Sequence, residues 1–231
     1  MTAIKANLVS KESLTPYVFK VLLETQEAIT FKAGQYLQVV MAEQDKRPFS
    51  IASIPANSKL IELHIGAAPE NPYAYEVIQK LEQDQSLMIE VAHGSAYLQS
   101  SELEAILLAG GTGYSYTKSL LMEILASQPQ RKVSLYWGSK TFDDLYEATA
   151  LTHLSEQHPQ FTFVPVVEKA NGNFAGKTGL VHRVLMSEVT DFSDKQVYVA
   201  GRFEMAKAVK DDLLNVGLKS ENLIGDAFAF I

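Results

Sequence analysis

Between residues 3 and 98 the apolar positions come in short bursts, at 3–9, 17–23, 36–41, 49–54, 61–66 and 86–91, divided by polar or glycine-containing turns. Runs of this length at this spacing predict the strands of an antiparallel barrel or sandwich. One stretch departs from the rhythm. Asn71-Pro-Tyr-Ala-Tyr-Glu-Val-Ile-Gln-Lys-Leu81 has helical spacing, with Asn71 as N-cap and Pro72 at the first helical position, so one helix interrupts a β-rich half.

Beyond Glu104 strands and helices alternate: strands at 106–109, 132–137, 161–167 and 196–200, helices at 114–127, 145–157, 181–188 and 205–216, and a terminal segment at 223–231. Such alternation predicts a parallel sheet covered on both faces. Open parallel sheets bind ligands at the C-terminal ends of their strands, which is where Gly110 and Gly201 fall. The change of rhythm divides the chain into two units, 1–100 and 101–231. The boundary carries no proline- or glycine-rich linker, so the units are expected to pack closely.

No run approaches the ~20 apolar residues needed to span a bilayer, and the N-terminus lacks the features of a secretory signal, so a cytoplasmic protein without membrane association is expected. A formal charge of −7 with both signs interspersed argues against a nucleic-acid partner. The chain has no cysteine, which removes thiolate chemistry, disulfides and cysteine-ligated clusters, so any redox chemistry needs an organic cofactor. The histidines show no metal-ligand spacing on a shared helix face, and no metal is expected.

Three short segments carry candidate chemistry. In Ala105-Ile-Leu-Leu-Ala-Gly-Gly-Thr-Gly-Tyr114 an apolar strand empties into Gly110, Gly111 and Gly113 and then into a helix. Glycines let the backbone approach a ligand, and the first N–H groups of the helix suit a pyrophosphate; a plain strand-to-helix turn uses the same residues. Arg47-Pro-Phe-Ser50 offers a guanidinium fork, a stiff turn and one hydroxyl, and reads equally as a strand start with a solvated arginine. Gly201-Arg-Phe-Glu-Met205 repeats the strand, glycine, helix arrangement, with Met205 either against a flat ring or filling a core.

In order and placement these three segments resemble the landmarks of the ferredoxin–NADP reductase superfamily. Six blocks resemble more narrowly the bacterial NAD(P)H-flavin reductases, including those of luminous bacteria: Gly34-Gln-Tyr36, Lys46-Arg-Pro-Phe-Ser50, Glu62-Leu-His-Ile-Gly66, Gly110-Gly-Thr-Gly-Tyr-Ser-Tyr116, Gly201-Arg-Phe-Glu-Met-Ala-Lys207 and Gly225-Asp-Ala-Phe-Ala-Phe-Ile231. The resemblance implies a six-stranded flavin-binding β-barrel followed by an α/β NAD(P)-binding unit. It implies hydride transfer from NADH or NADPH to riboflavin, FMN or FAD.

Carried over by position, Arg47, Pro48, Phe49 and Ser50 border the flavin ring and ribityl chain, with the Ser50 hydroxyl at N5. His64, Ile65 and Gly66 present mainly backbone groups to its pyrimidine end. The resemblance likewise implies that Gly110, Gly111, Thr112 and Gly113 receive the pyrophosphate, with Thr112 near the nicotinamide, that Gly201, Arg202 and Met205 line the nicotinamide side, and that Asp226 and Phe228 stand at the cleft mouth. Where permanent flavoproteins of the superfamily carry a phosphate turn, this chain has Pro69-Glu-Asn-Pro72. Flavin is therefore expected as a diffusible substrate, its reduced form passing to a flavin-using monooxygenase or a ferric complex. The alternative is a reductase with tightly bound FAD serving a ferredoxin or flavodoxin. Ser139, Lys140 and Thr141 fall where the adenosine ribose is expected, and leave the choice of NADH or NADPH open.

Overall fold

The computed structural model describes residues 2–170 and 174–231. Six strands, β1 (Ile4–Thr15), β2 (Val18–Thr25), β3 (Tyr36–Ala42), β4 (Asp45–Ser50), β5 (Leu60–Gly66) and β6 (Ser86–His93), form an antiparallel sheet in the order β4-β3-β6-β1-β2-β5. Just past β4, the Ala52 N–H donates to the Glu62 carbonyl on β5 at 2.8 Å and joins the two edges. Alternation sends Val21, Leu23, Leu37, Val39, Ile61, Leu63, Ile65, Leu87 and Ile89 to a buried interior. Helix α1 (Pro72–Asp84) packs Ala74, Val77, Ile78 and Leu81 onto that core and ends in a left-handed residue, Gln85, whose N–H bonds the Leu81 carbonyl.

The expected strand at 49–54 lies instead at Asp45–Ser50. Its polar start belongs to a hairpin with β3, and Pro48 is accommodated because β4 ends the sheet order, where a missing donor leaves no ladder bond broken. Strand β1 also runs further than its apolar burst, pairing with β2 as far as Thr15.

The second sheet is parallel throughout: β7 (Glu104–Gly110), β8 (Val133–Ser139), β9 (Phe161–Val167), β10 (Lys177–Thr178), β11 (Lys195–Ala200) and β12 (Leu223–Ile224), ordered β10-β9-β8-β7-β11-β12. Along β7, Ala105, Leu107 and Ala109 face α2 (Tyr114–Ser127) and α3 (Ala148–Gln157), while Ile106 and Leu108 face α4 (Val181–Glu188) and α5 (Phe203–Asn215). Both faces of the sheet are thereby buried, as the near-continuous apolar strands require.

Residues 95–103 connect the sheets and are pinned along their length. Ala96 O accepts from the Tyr116 hydroxyl at 2.6 Å, Gln99 N–H donates to Tyr198 Oη at 3.0 Å, and buried Arg131 donates to the carbonyls of Gln99 and Leu103. From the far end of the chain, Asp226 Oδ1 accepts from Ser95 N–H and Ala96 N–H at 3.1 and 3.2 Å. Among the described residues no helix is long and apolar enough to cross a membrane.

Candidate active site

A cleft of about 930 Å3 lies where the strand ends of the second sheet meet the outer face of the barrel. Strand β5 supplies that face: its period of two turns Ile61, Leu63 and Ile65 inward and Glu62, His64 and Gly66 outward. Opposite stands the turn from β7 to α2, in which Gly111–Gly113 form a single 3-10 turn. At Gly113 a Cβ would overlap the Ala200 carbonyl, whose carbon lies 2.6 Å away, so α2 begins hard against the end of β11. At Gly110 a Cβ would lie 2.5 Å from Met205 Sδ, and the same sulfur would be 2.9 Å from one on Gly201. Met205 thus forms the cleft floor over two glycines.

Gly111 is different. Its φ is +54°, and a Cβ there would meet nothing within 4 Å, so this position is a left-handed residue facing open space. Its carbonyl accepts from Trp137 Nε1 at 2.9 Å. No acidic residue occupies the first turn of α2 and no side chain caps it, leaving its amide end suited to an anion. Gly111→Val, β-branched at positive φ, is expected to raise the KM for NAD(P)H while riboflavin binding, followed by fluorescence quenching, stays at the parental value.

Of the residues expected from sequence, Pro48, Phe49, Ser50, His64, Gly66, Gly110, Gly111, Thr112, Gly113, Gly201, Arg202, Met205 and Asp226 line this one cleft. Across it, a Cβ on Gly66 would lie 3.1 Å from Thr112 Cγ2, so glycine there lets the two halves touch. Neither the Ser50 nor the Thr112 hydroxyl bonds another group among the described residues.

Three expected residues do not line the cleft. Ile65 is fully buried in the barrel. Phe228 lies over Gly225 and lines a separate polar hollow of about 520 Å3 beside the connecting segment. Arg47 is turned aside: Nε and Nη2 donate to Asp45, Nη2 also to Glu76 at 2.8 Å, and Nη1 to the Tyr73 carbonyl at 2.6 Å. The His64 side chain, in the cleft wall, is also engaged. Because a carboxylate only accepts, Nε2 carries the hydrogen given to Glu62 Oε1 at 2.8 Å, and Nδ1 meets the Tyr146 hydroxyl at 3.1 Å.

Behind the cleft wall sequence reasoning missed a cluster of charges. Lys118 on α2 donates to Glu62 Oε1 at 2.7 Å and Glu147 Oε1 at 2.8 Å, and Tyr114, one turn earlier, donates to Glu147 Oε2 at 2.7 Å. The Tyr114 ring stacks on Trp137 with centroids 3.9 Å apart, which links the cluster to the glycine turn. Burial alone would raise the Glu62 carboxyl, but the His64 hydrogen bond and Lys118 hold it down at about 2. Burial would also lower the Lys118 ammonium, and the two carboxylates lift it above the ordinary lysine value instead. Glu62, His64 and Glu147 form a trio of potential metal ligands, and the Lys118 ammonium bonds both of its carboxylates.

Toward the outer end, Ser139, Lys140, Asp144, Glu168 and His182 also line the cleft. Asp144 is occupied as a cap, its Oδ2 accepting from Thr141 N–H and hydroxyl at 3.0 and 2.8 Å.

An antiparallel barrel joined to a parallel, nucleotide-type sheet, with glycine turns and unengaged hydroxyls in the cleft between them, defines an oxidoreductase with the ferredoxin–NADP reductase fold. Solved structures share that fold: a cytochrome P450 reductase from Amycolatopsis (TM-score 0.86, 22% identity, covering 97% of this chain and 69% of that one) and a ferredoxin NADP+ reductase from Neisseria gonorrhoeae with bound FAD and NADP (TM-score 0.80, 18% identity, covering 97% and 98%). Residues 107–211 match the oxidoreductase NAD-binding domain family. The chain is 43% identical to the NAD(P)H-flavin reductase of Aliivibrio fischeri and 40% identical to that of Vibrio harveyi, in both cases over 99% of each chain. It belongs to the NAD(P)H-flavin reductase family. These full-length matches do not favour the ferredoxin- or flavodoxin-linked alternative.

Proposed function

We propose that this chain transfers hydride from NADH or NADPH to a flavin that enters and leaves as a substrate. The carrying observation is the convergence of Ser50 from the barrel and Thr112 from the glycine turn on one cleft, neither hydroxyl bonded among the described residues, in a member of this family. When bound, reduced nicotinamide supplies the hydride and the flavin accepts it at N5. The protein's contribution is orientation and exclusion of water rather than a nucleophile.

In this reading residues 1–100 hold the flavin and 101–231 the nicotinamide nucleotide. Pro48, Phe49 and Ser50 border the flavin, with the Ser50 hydroxyl donating at the accepting nitrogen, and the backbone of His64 and Gly66 faces its pyrimidine end. The amide end of α2 and Gly110–Gly113 take the pyrophosphate. Thr112, Gly201, Arg202 and Met205 set the nicotinamide, and Asp226 closes one end of the cleft. The reduced flavin would be released in the cytoplasm to a flavin-using monooxygenase or a ferric complex.

The decisive test is an absorbance scan of dialysed protein followed by NADH and NADPH oxidation with and without riboflavin. The expected protein is nearly colourless and turns over only with added flavin; stoichiometric FAD surviving dialysis refutes the reading. Ser50→Ala is expected to lower kcat by about 10–100-fold, corresponding to loss of a hydrogen bond worth on the order of 1–3 kcal/mol, with little change in the KM for NADH. Parental kinetics in this variant would reassign Ser50 as structural.

A further inference from the structure

We infer that Asp45 and Glu76 set the flavin selectivity of the cleft by withholding Arg47 from phosphate and committing it to support the Tyr73 ring. This deepens the proposed flavin site and rests on that reading. Besides Pro48–Ser50 the barrel side of the cleft is lined by Thr15, Val18, Asn71, Tyr73 and Ala74, an arm that we assign to whatever extends from a ring set against Pro48–Ser50. Arg47 stands over the Tyr73 ring of that arm, and an arginine fork is the side chain best matched to a phosphate.

Here the fork is already filled. Asp45 receives Nε at 2.9 Å and Nη2 at 2.6 Å, Glu76 receives Nη2 at 2.8 Å, and the Tyr73 carbonyl receives Nη1 at 2.6 Å. Arg47 is 8% exposed. Its guanidinium carbon lies 5.0 Å from the centroid of the Tyr73 ring, which is itself 46% exposed and lines the arm. One guanidinium therefore faces two carboxylates, leaving a negative excess beside the arm. Helix α1, uncapped and without an acidic side chain in its first turn, opposes that sign only in part, since Pro72 removes one of its N–H groups and Glu70 precedes it.

The arm thus presents a supported aromatic face and negative charge. An uncharged polyol tail, as in riboflavin, suits it, whereas the terminal phosphate of FMN meets repulsion. In this arrangement Arg47 is a positioning residue acting through Tyr73.

Equilibrium titration of the nicotinamide-free protein with riboflavin and with FMN, followed by flavin fluorescence, reads the effect without turnover. Parent protein is expected to bind riboflavin more tightly than FMN, and higher salt, up to about 0.5 M, is expected to narrow the gap by screening the phosphate. In Asp45→Asn/Glu76→Gln the Kd for FMN should fall by about 3–10-fold, while that for riboflavin stays within about twofold. An FMN-to-riboflavin ratio unmoved by the double variant at parental melting temperature overturns the inference, whatever salt does to it. Should the double variant not fold, Glu76→Gln gives the same readout. Loss of selectivity control with intact NADH-driven reduction of both flavins would sink only this inference; absence of reduction with any flavin would sink the proposed function beneath it.

Discussion

Gly113→Ala is expected to abolish productive nicotinamide binding and lower the melting temperature by about 6–12 °C, corresponding to roughly 3 kcal/mol in a chain of this size. Backbone strain is not the cause, since Gly113 has helical dihedrals, φ −56° and ψ −15°. The added methyl meets main-chain atoms of Ala200 and Gly201, at 2.6 and 2.9 Å for the carbonyl carbon and the next nitrogen. Main-chain atoms at a sheet end cannot rotate aside as a side chain can, so α2 must back away from β11 and carry its amide end with it. Thermal melts beside NADH kinetics and riboflavin titration test this. A folded variant with the parental KM for NADH would show that the start of α2 does not hold the nucleotide.

Lys118→Met is expected to cost about 3–5 kcal/mol at neutral pH, because it leaves Glu62 and Glu147 partly buried and facing each other without their shared ammonium. The pH dependence carries a distinctive sign. In the parent, Glu62 is held at about 2 against an ordinary 4.5, so its contribution is complete above about pH 4.5 and is lost as pH falls through about 2. Glu147 is also held below its ordinary value and acts in the same direction. Without Lys118 both carboxyls, still hydrogen-bonded by His64 and Tyr114, take up protons at higher pH than in the parent, so the deficit of the variant narrows as pH falls through the carboxylate range. Chemical denaturation across that range measures the difference. A constant gap at every pH would mean that the cluster acts by packing alone. Adding Glu62→Gln and Glu147→Gln to the variant should recover much of the loss.

Local chemistry made the two halves and their turns legible in the sequence. A glycine turn, a strand start and a methionine after a second glycine are contiguous signals, and all three face one cleft in the fold. The more apolar run, 49–54, points to a strand later than β4, whereas the observed strand buries a charged residue, Arg47, against partners 2, 26 and 29 positions away. Such compensation has no local signature. The Lys118 cluster was hidden for the same reason: Lys118 and Glu62 are 56 residues apart, and His64 and Tyr146 are 82 apart. Period-two placement of Glu62, His64 and Gly66 on one face of β5 was the available clue, pointing to polar business on the barrel's outer side.

The pinned segment between the sheets bears on the shape of the cleft. Tyr116, Tyr198, Arg131 and Asp226 fasten residues 95–103, so the two halves meet at a hydrogen-bonded clasp rather than across a bare linker. Any hinge motion that changed the width of the cleft would have to break hydrogen bonds to the main chain of this segment, so the joint between the halves shapes the site as surely as the side chains that line it.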